Sequence, residues 1–525
     1  MYIAPNSTIK FLSNVPLDDT FENTLFHTSL ANQIATFETF TAYTLTEQSY
    51  VRESENTLRV SLSTTQLYNC NYLMFKNTSF ENKWFFAFIT AIRYRANGTS
   101  YVDFKLDPLQ TWYFDFQVEP SFIEREHSAT DNPGDNLVPE NLETGEYISN
   151  GWHEMIPISG LDNGMRIVFG CTFGYDSSGG TPEARFPDFE GATFNGIFSG
   201  LALHVFDSVT DARAFIHQVL NDKKISGIVC AYMMPAVFLS SLEDHSSMVP
   251  YLQNHPVTIS SKPTTFPGMQ SYSIKNKKLL TAPYIQLYVT NNNGTTAVFP
   301  FEYFSDSTIT FQLYGSETPD PAVFAIPTNY KGLVFNWDEK IMLKGFPVCS
   351  FDVDSYKAWL AQSGSAVAVS NMSSAMSNMV TMASGNYIAG GMGMINTAAN
   401  AVQQVYQHSI MPPQLHGSVS GNALYSAGLL NINWTVKYIR PEFVYIIDDY
   451  FDRFGYATHR VKTPNVFNGF ANRPHWCYLQ TKQAGLKGNV PGDDLRTIQS
   501  IFDKGVTYWK VPSEVGNYNM NNSPL

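Results

Sequence analysis

Between Lys357 and Lys437 the chain carries no Asp, Glu, Lys or Arg, so 79 consecutive residues, Ala358 to Val436, have no formal charge. In a 525-residue protein that is 15% charged, such a gap is not a sampling accident. It limits what the stretch can be, because ordinary soluble surface is rich in charged side chains. Ser363 to Gln404 is mostly Ala, Gly, Ser, Asn, Val and Met. Val369, Met372, Met376 and Met379 recur at helical spacing, and Gly390-Gly391-Met392-Gly393 then interrupts it. Small residues such as Ala389, Gly390, Gly391 and Gly393 permit close approach of backbones. Three readings fit. A Gly/Ser/Ala linker matches the composition, although seven methionines between Ala358 and Val436 do not suit one. A buried helical hairpin in an oligomer core is the second. The third is a segment that stays soluble while sheltered and enters lipid when released. Asn378, Asn386, Asn396 and Asn400 make it a poor single spanning helix. Several copies turning Asn and Ser toward a watery lumen would relieve that cost, which favours a pore over an anchor.

The remainder is of a different kind. Its length exceeds one hydrophobic core and calls for several domains. Aromatics at 14%, with many Thr, Val and Asn residues, point to strands. The chain is therefore expected to be mainly β, multidomain, with an α/β insertion. In 1–128, Tyr101 to Asp107 alternates with Val102, Phe104 and Leu106 on one face. Lys83 to Arg95 precedes it across Ala96-Asn97-Gly98-Thr99, a hairpin longer than usual. Leu109 to Phe116 and Ser121 to His127 are expected as further strands. Residues 129–165 are rich in Asn, Pro, Gly and Glu and read as a connection. In 166–265, Met165 to Phe173 and Ile225 to Met234 read as buried strands. Between them a helix spans Thr210 to Asn221, with Ser208 or Thr210 as cap. Residues 266–357 return to hairpins, and 358–436 hold the uncharged stretch. In 437–525 a strand at Ile432 to Ile439 leads into a short helix at Asp448 to Phe454. A second helix follows at Asp493 to Lys504, closed by Gly505.

Charge and chemistry exclude more than they suggest. Net charge is −13, and residues 1–150 alone carry 9 basic and 19 acidic residues. A high-affinity binder of nucleic-acid phosphates is excluded. Cys70, Cys171, Cys230, Cys349 and Cys477 include no CxxC pair and read as buried free thiols of a chain made in a reducing cytoplasm. Met1 to Asn6 does not read as a signal peptide. Phosphate-loop, zinc-protease, nucleophile-elbow and dinucleotide fingerprints are absent. His245 with His255, and His408 with His416, are not at metal-ligand spacing. No cofactor or metal is expected. Glu124-Arg125-Glu126-His127 is the one dense charged group. On a regular strand Glu124 and Glu126 share a face about 7 Å apart, as paired glycosidase carboxylates do. A salt-bridged edge explains the same pattern.

Several ordered runs carry a resemblance. They are Asn82 to Thr90, Gly98 to Phe104, Leu109 to Trp112 and Ser121 to His127. After the uncharged stretch they continue with Met411-Pro412-Pro413-Gln414-Leu415, Phe454-Gly455-Tyr456, His459 to Lys462, Arg496-Thr497-Ile498, Ile501 to Thr507 and Gly516-Asn517-Tyr518. Together they resemble the distal tail-tube, or tail-knob, protein of small short-tailed phages of Gram-positive bacteria. The resemblance covers the first 130 and last 170 residues. It implies β-barrel-like tube-wall domains at both termini, in 1–128 and 437–525, that assemble into a homohexameric ring or tube at the distal end of the virion tail, beside other tail proteins. It also implies uncharged loops that plug the lumen, then leave it and perforate the host cytoplasmic membrane as a channel for viral DNA. On this sequence the loop maps by composition to Gln362–Ile410. Its apolar or close-packing positions are Val367, Val369, Met372, Met376, Met379, Val380, Met382, Ile388, Gly390, Gly391, Met392, Met394, Ile395 and Val402. An acidic terminal domain suits a conduit that repels phosphate, with Asp103, Asp107, Glu124 and Glu126 as candidate lumen carboxylates. DNA would pass without sequence-specific binding. Two rivals remain: a passive tube or adaptor whose uncharged segment is only an internal plug or packing element, and a tail-borne hydrolase of cell-wall glycan using Glu124 and Glu126.

Overall fold

The computed structural model describes residues 6–48, 56–156, 164–176, 178–186, 193–194, 197–198, 202–222, 224, 227–238, 253–316, 321–350, 418–420, 430–468 and 473–524. The chain divides into two compact units. The first is built from 1–145, 268–281 and 440–525, and the second from 146–267 and 282–439. Both are dominated by sheets, as the composition requires.

In the first unit, six antiparallel strands lie in the order Thr41–Gln48, Ser7–Ser13, Cys70–Lys76, Phe85–Ala96, Thr99–Leu106 and Thr57–Val60. The long hairpin of the sequence is present. Ala96 pairs with Thr99 around Asn97-Gly98, and Gly98 takes φ +72°, a region glycine enters without steric penalty. Val102 and Phe104 are buried as the alternation demands. A second sheet orders Asn23–Leu25, Val506–Trp509, Trp476–Lys482, Ser121–Glu126 and Tyr456–Lys462, so residues near both ends of the chain share one sheet. Trp476 and Trp509 are fully buried, with ring centroids 5.1 Å apart.

Two local expectations are corrected. Leu109 to Phe116 is not a strand. Pro108–Thr111 forms a short helix capped by Asp107, whose carboxylate accepts from the Gln110 N–H at 3.0 Å, and the strand begins only at Phe116. Asp followed by Pro is a helix-start pair, and here it overrides the apolar run. The helix expected at Asp448 begins earlier and spans Pro441–Phe454, with Pro441 in its first turn. Its buried stripe is Val444, Ile447, Asp448, Phe451 and Asp452, spaced by three and four residues.

This helix stops at Gly455, with φ +66° and ψ −150°, a conformation essentially confined to glycine. A Cβ there would lie 2.2 Å from the Glu126 carbonyl oxygen and 2.5 Å from the His127 nitrogen. Gly455→Ala is therefore expected to destabilise the first unit by about 3 kcal/mol or more, combining backbone strain with a clash against a strand that cannot yield. Denaturant titration checks it, and a loss under about 1 kcal/mol would show that the strand gives way.

The second unit contains the mixed α/β part. Its helix Val209–Asn221 is capped by Ser208, whose hydroxyl accepts from the Asp211 N–H, and it buries Ala212, Phe215, Ile216 and Val219. Phe215 lies with its ring centroid 5.8 Å from Phe169 and 5.0 Å from Phe206 on the neighbouring strands. The sheet beneath orders Ala202–Phe206, Met165–Cys171, Ile228–Pro235, Val348–Ser350 and Ser418–Ser420. A second sheet places Asn433–Ile439 centrally. It pairs with Ile285–Thr290 and with two short strands, Tyr147–Ser149 and His153–Glu154, that arise inside 129–165. A third sheet contains Gln253–Ser261, Thr308–Ser316, Ala322–Tyr330, Leu333–Phe335 and Ile341–Leu343. Among the described residues, no helix is long and apolar enough to cross a membrane.

Candidate functional site

Two short strands flank the segment that holds most of the uncharged stretch. Val348–Ser350 and Ser418–Ser420 pair antiparallel, Val348 with Ser420, Cys349 with Val419 and Ser350 with Ser418. The first of them also pairs with Ile228–Pro235 through Tyr232, Ala231 and Cys230. The described strands on either side of residues 351–417 are therefore adjacent in one sheet. The positions singled out from Val367 to Val402, and Gln362–Ile410 as a whole, lie outside the described residues.

The four candidate lumen carboxylates are placed unequally. Asp103 remains partly accessible. It accepts from Thr57 Oγ1 at 2.6 Å and Arg93 Nη2 at 2.7 Å, and the Arg93 contact holds its carboxyl below the usual range. Asp107 is only 2% exposed and faces no solvent in the chain. It caps the Pro108 helix, accepts from the Tyr72 hydroxyl at 2.9 Å, and burial pushes its carboxyl up to about 6. Glu126 is 3% exposed, ion-paired with Lys462 and accepting from the Asn465 N–H at 2.9 Å. Glu124 is half-buried on a bulge, since Ile123 and Arg125 face the adjacent residues Thr481 and Gln480. The bulge breaks the two-residue alternation, and burial follows it: Ile123 and Glu126 are buried while Glu124 is not. The paired-carboxylate geometry expected of a regular strand is lost, because Glu126 serves as an internal ion pair.

A buried polar network in the first unit was not legible from sequence. Asp448 is fully buried. It accepts from Tyr272 Oη at 2.8 Å, the Lys275 N–H at 2.9 Å, the Asn276 N–H at 3.0 Å and Asn276 Nδ2 at 2.8 Å. Glu140 accepts from Lys278 Nζ at 2.6 Å and the Ala457 N–H at 2.8 Å, and pairs with Arg125. Asp131 binds the Tyr456 hydroxyl and the Lys277 N–H. Burial raises Asp131 and Asp452 above the usual carboxylate range and lowers Lys278, against the pull of Glu140. His127 is driven well below its ordinary value by burial and by Arg473. Asp131, Glu140, Asp448, Asp452 and Lys278 each have an opposite charge or several N–H and O–H donors, whereas Arg473 donates to the Asn522 carbonyl and leaves two nitrogens without a partner among the described residues. The arrangement locks segments rather than presenting reactive groups. Among the described residues no cluster of His, Cys, Asp and Glu could hold a metal.

Two groups in this unit set opposing pH dependences. Burial lowers His27 from 6.5 to about 4, so the unfolded chain takes up its proton first. Stability from this group is lost as pH falls from about 6.5 to 4. Asp107, raised to about 6, is protonated first in the folded chain and returns stability as pH falls from about 6 to 4. Each amounts to about 3 kcal/mol over its window. Asp107→Asn removes only the second. Relative to its own stability at pH 7, the variant should lose about 2 kcal/mol more than the parent by pH 4.5. Unfolding midpoints at the two pH values check this, and parallel curves would rule Asp107 out as a source.

Residues 251–523, more than half of the chain, match the family described as "Bacillus phage phi29, Tail knob protein gp9, C-terminal domain". The chain belongs to this family of phage tail knob proteins. Residues 5–117 match the caudoviral major tail protein N-terminus. Among curated proteins it is similar to the tail knob protein gp9 of Bacillus phage PZA, 25% identical over 98% of both chains. It is similar also to that of Bacillus phage phi29, 24% identical over 98% of both. Among solved structures, the tail knob protein gp12 of bacteriophage C1 shares the fold, with TM-score 0.64 and 15% identity over 98% of this chain and 99% of that one. This tail knob protein is a structural component of the virion tail, as its relatives are named, and not an enzyme. The hydrolase expectation falls with that finding and with the burial of Glu126.

Proposed function

We propose that the protein forms the distal end of the tail as a homohexamer, plugs the tail lumen with its uncharged segments before infection, and releases them to perforate the host cytoplasmic membrane so that DNA can pass. The supporting observation is a stretch free of charge from Ala358 to Val436, most of which falls between Val348–Ser350 and Ser418–Ser420, two strands paired on one sheet. A segment so attached moves from one environment to another without disturbing the sheet that carries it. Hexameric order comes from the family resemblance. The acidic first 150 residues suit a conduit that DNA traverses without binding, and of the four carboxylates Asp103 and Glu124 keep surface for that role. Dye release from liposomes, scanned from pH 4 to 7.5 beside a variant lacking Gln362–Ile410, tests the membrane step. Leakage by the intact protein alone supports it, and silence from both leaves a passive tube with an internal plug.

A further inference from the structure

The second unit holds a hollow of about 310 Å³ that the tube reading does not use. Its floor is the strand Asn433–Ile439, where Trp434, Val436 and Tyr438 alternate on one face. One wall is Asn150 and His153, on either side of the turn between the strands Tyr147–Ser149 and His153–Glu154. The other is Ser260 to Thr265, at and beyond the end of Gln253–Ser261. All of these residues belong to the same compact unit.

Three observations define what would fit. His153 stacks on Trp434 with centroids 4.5 Å apart and planes 27° apart, so the pair brings an aromatic ring system to the lining of the hollow, with His153 covering one face of the indole. Around it stand an amide and hydroxyls, Asn150, Ser260, Ser261, Thr264 and Thr265, most of which both donate and accept. The hydroxyl of Ser260 is buried and has no hydrogen-bond partner among the described residues, and a turn of its side chain would bring it to a polar group in the hollow. The charge pattern narrows the class. No carboxylate lines the hollow although the chain is acidic, so a cation is disfavoured. Its one lysine, Lys262, donates to the Phe304 carbonyl, and a single ammonium is too little positive charge for a polyphosphate.

We propose that this hollow binds one pyranose unit of a surface saccharide. A sugar ring offers C–H groups on a flat face, which pack on an aromatic plane, and a rim of hydroxyls, which pair with Asn, Ser and Thr. The volume sits at the low end of the roughly 300–1,000 Å³ typical of small-molecule sites, so a single ring with its substituents fills it. The tail knob thereby carries a glycan contact of its own, separate from the uncharged segment and independent of whether that segment enters lipid.

The test titrates methyl glycosides of glucose, galactose and N-acetylglucosamine into the full chain and reads saturation transfer to the sugar protons. At least one glycoside is expected to receive transfer, and Trp434→Ala to weaken it tenfold or more. Ser260→Ala and Asn150→Ala are expected to weaken it several-fold. His153→Ala is the control for folding, because His153 is exposed and its loss leaves the strand Asn433–Ile439 intact. It should also weaken binding several-fold with unchanged circular dichroism. Transfer to none of the three sugars, equal transfer in the Trp434 and His153 variants, or binding of deoxyadenosine monophosphate without any glycoside would overturn the proposal.

Discussion

Asp448→Ala is expected to destabilise the first unit by about 4 kcal/mol, because a single fully buried carboxylate there accepts from four donors, two of them buried and two partly so. Asp448 has no exposed surface, and its oxygens tie the helix Pro441–Phe454 to Tyr272, Lys275 and Asn276, in the segment 268–281. That segment is short, lies far from the helix in sequence, and contributes only a 3-10 turn of its own at Lys277–Leu280. Truncation leaves one hydroxyl and two backbone N–H groups without acceptors, each costing about 1–3 kcal/mol when buried, although the sum is not additive, while Asn276 Nδ2 keeps the Asp448 backbone carbonyl. Against a typical domain stability of about 5–15 kcal/mol the loss is large. Asp448→Asn keeps the shape but turns an amide donor toward donors, and is expected to cost about half as much. Denaturant unfolding of the three proteins at pH 7 measures both differences. An alanine variant within about 1 kcal/mol of the parent would mean that the segment is held by packing instead.

The same helix shows where sequence reading runs out. Periodicity found Val209–Asn221 with its cap, and charge placement with a terminal glycine found Gly492–Lys504. Both helices have apolar residues on the buried side. Pro441–Phe454 puts Asp448 and Asp452 there, in its second half, while its first half, Pro441 to Ile447, is a short apolar run whose period does not separate helix from strand, so its true stripe is invisible without the partners. Asn276 and Lys278, which complete the network, look like loop residues in the sequence for the same reason. Strand pairing between remote segments is equally silent: nothing local in Asn23–Leu25 specifies Val506–Trp509 as its parallel neighbour. The hairpin from Phe85 to Leu106 was legible because its partner is adjacent and one face is buried. The uncharged segment was legible as composition, whereas its base, two strands of three residues each, was too short to leave a period. The hollow around Trp434 draws on three separate stretches, and no single one of them has a motif.

Removing Gln362–Ile410 is expected to abolish liposome leakage while leaving both compact units folded. The deletion joins residues 351–361 to 411–417, and these connect antiparallel neighbours whose ladder is already formed at Val348–Ser350 and Ser418–Ser420. Shortening a loop changes closure entropy by only about 0.6 kcal/mol per halving, in the stabilising direction. Loss of leakage therefore cannot be blamed on unfolding, and light scattering checks that the oligomer is the same. A single charge should act almost as strongly. Met376→Lys places an ammonium in a stretch that has none for 79 residues, at a penalty of about 2.5–3.5 kcal/mol if the position reaches the hydrocarbon centre. Repeated in each copy of an oligomer, that penalty multiplies, so leakage should fall by orders of magnitude although nothing has been deleted. The two variants separate the rival readings. A passive plug tolerates a lysine that faces a watery lumen and releases no dye with or without its segment. A membrane-entering segment releases dye only when its uncharged run is whole.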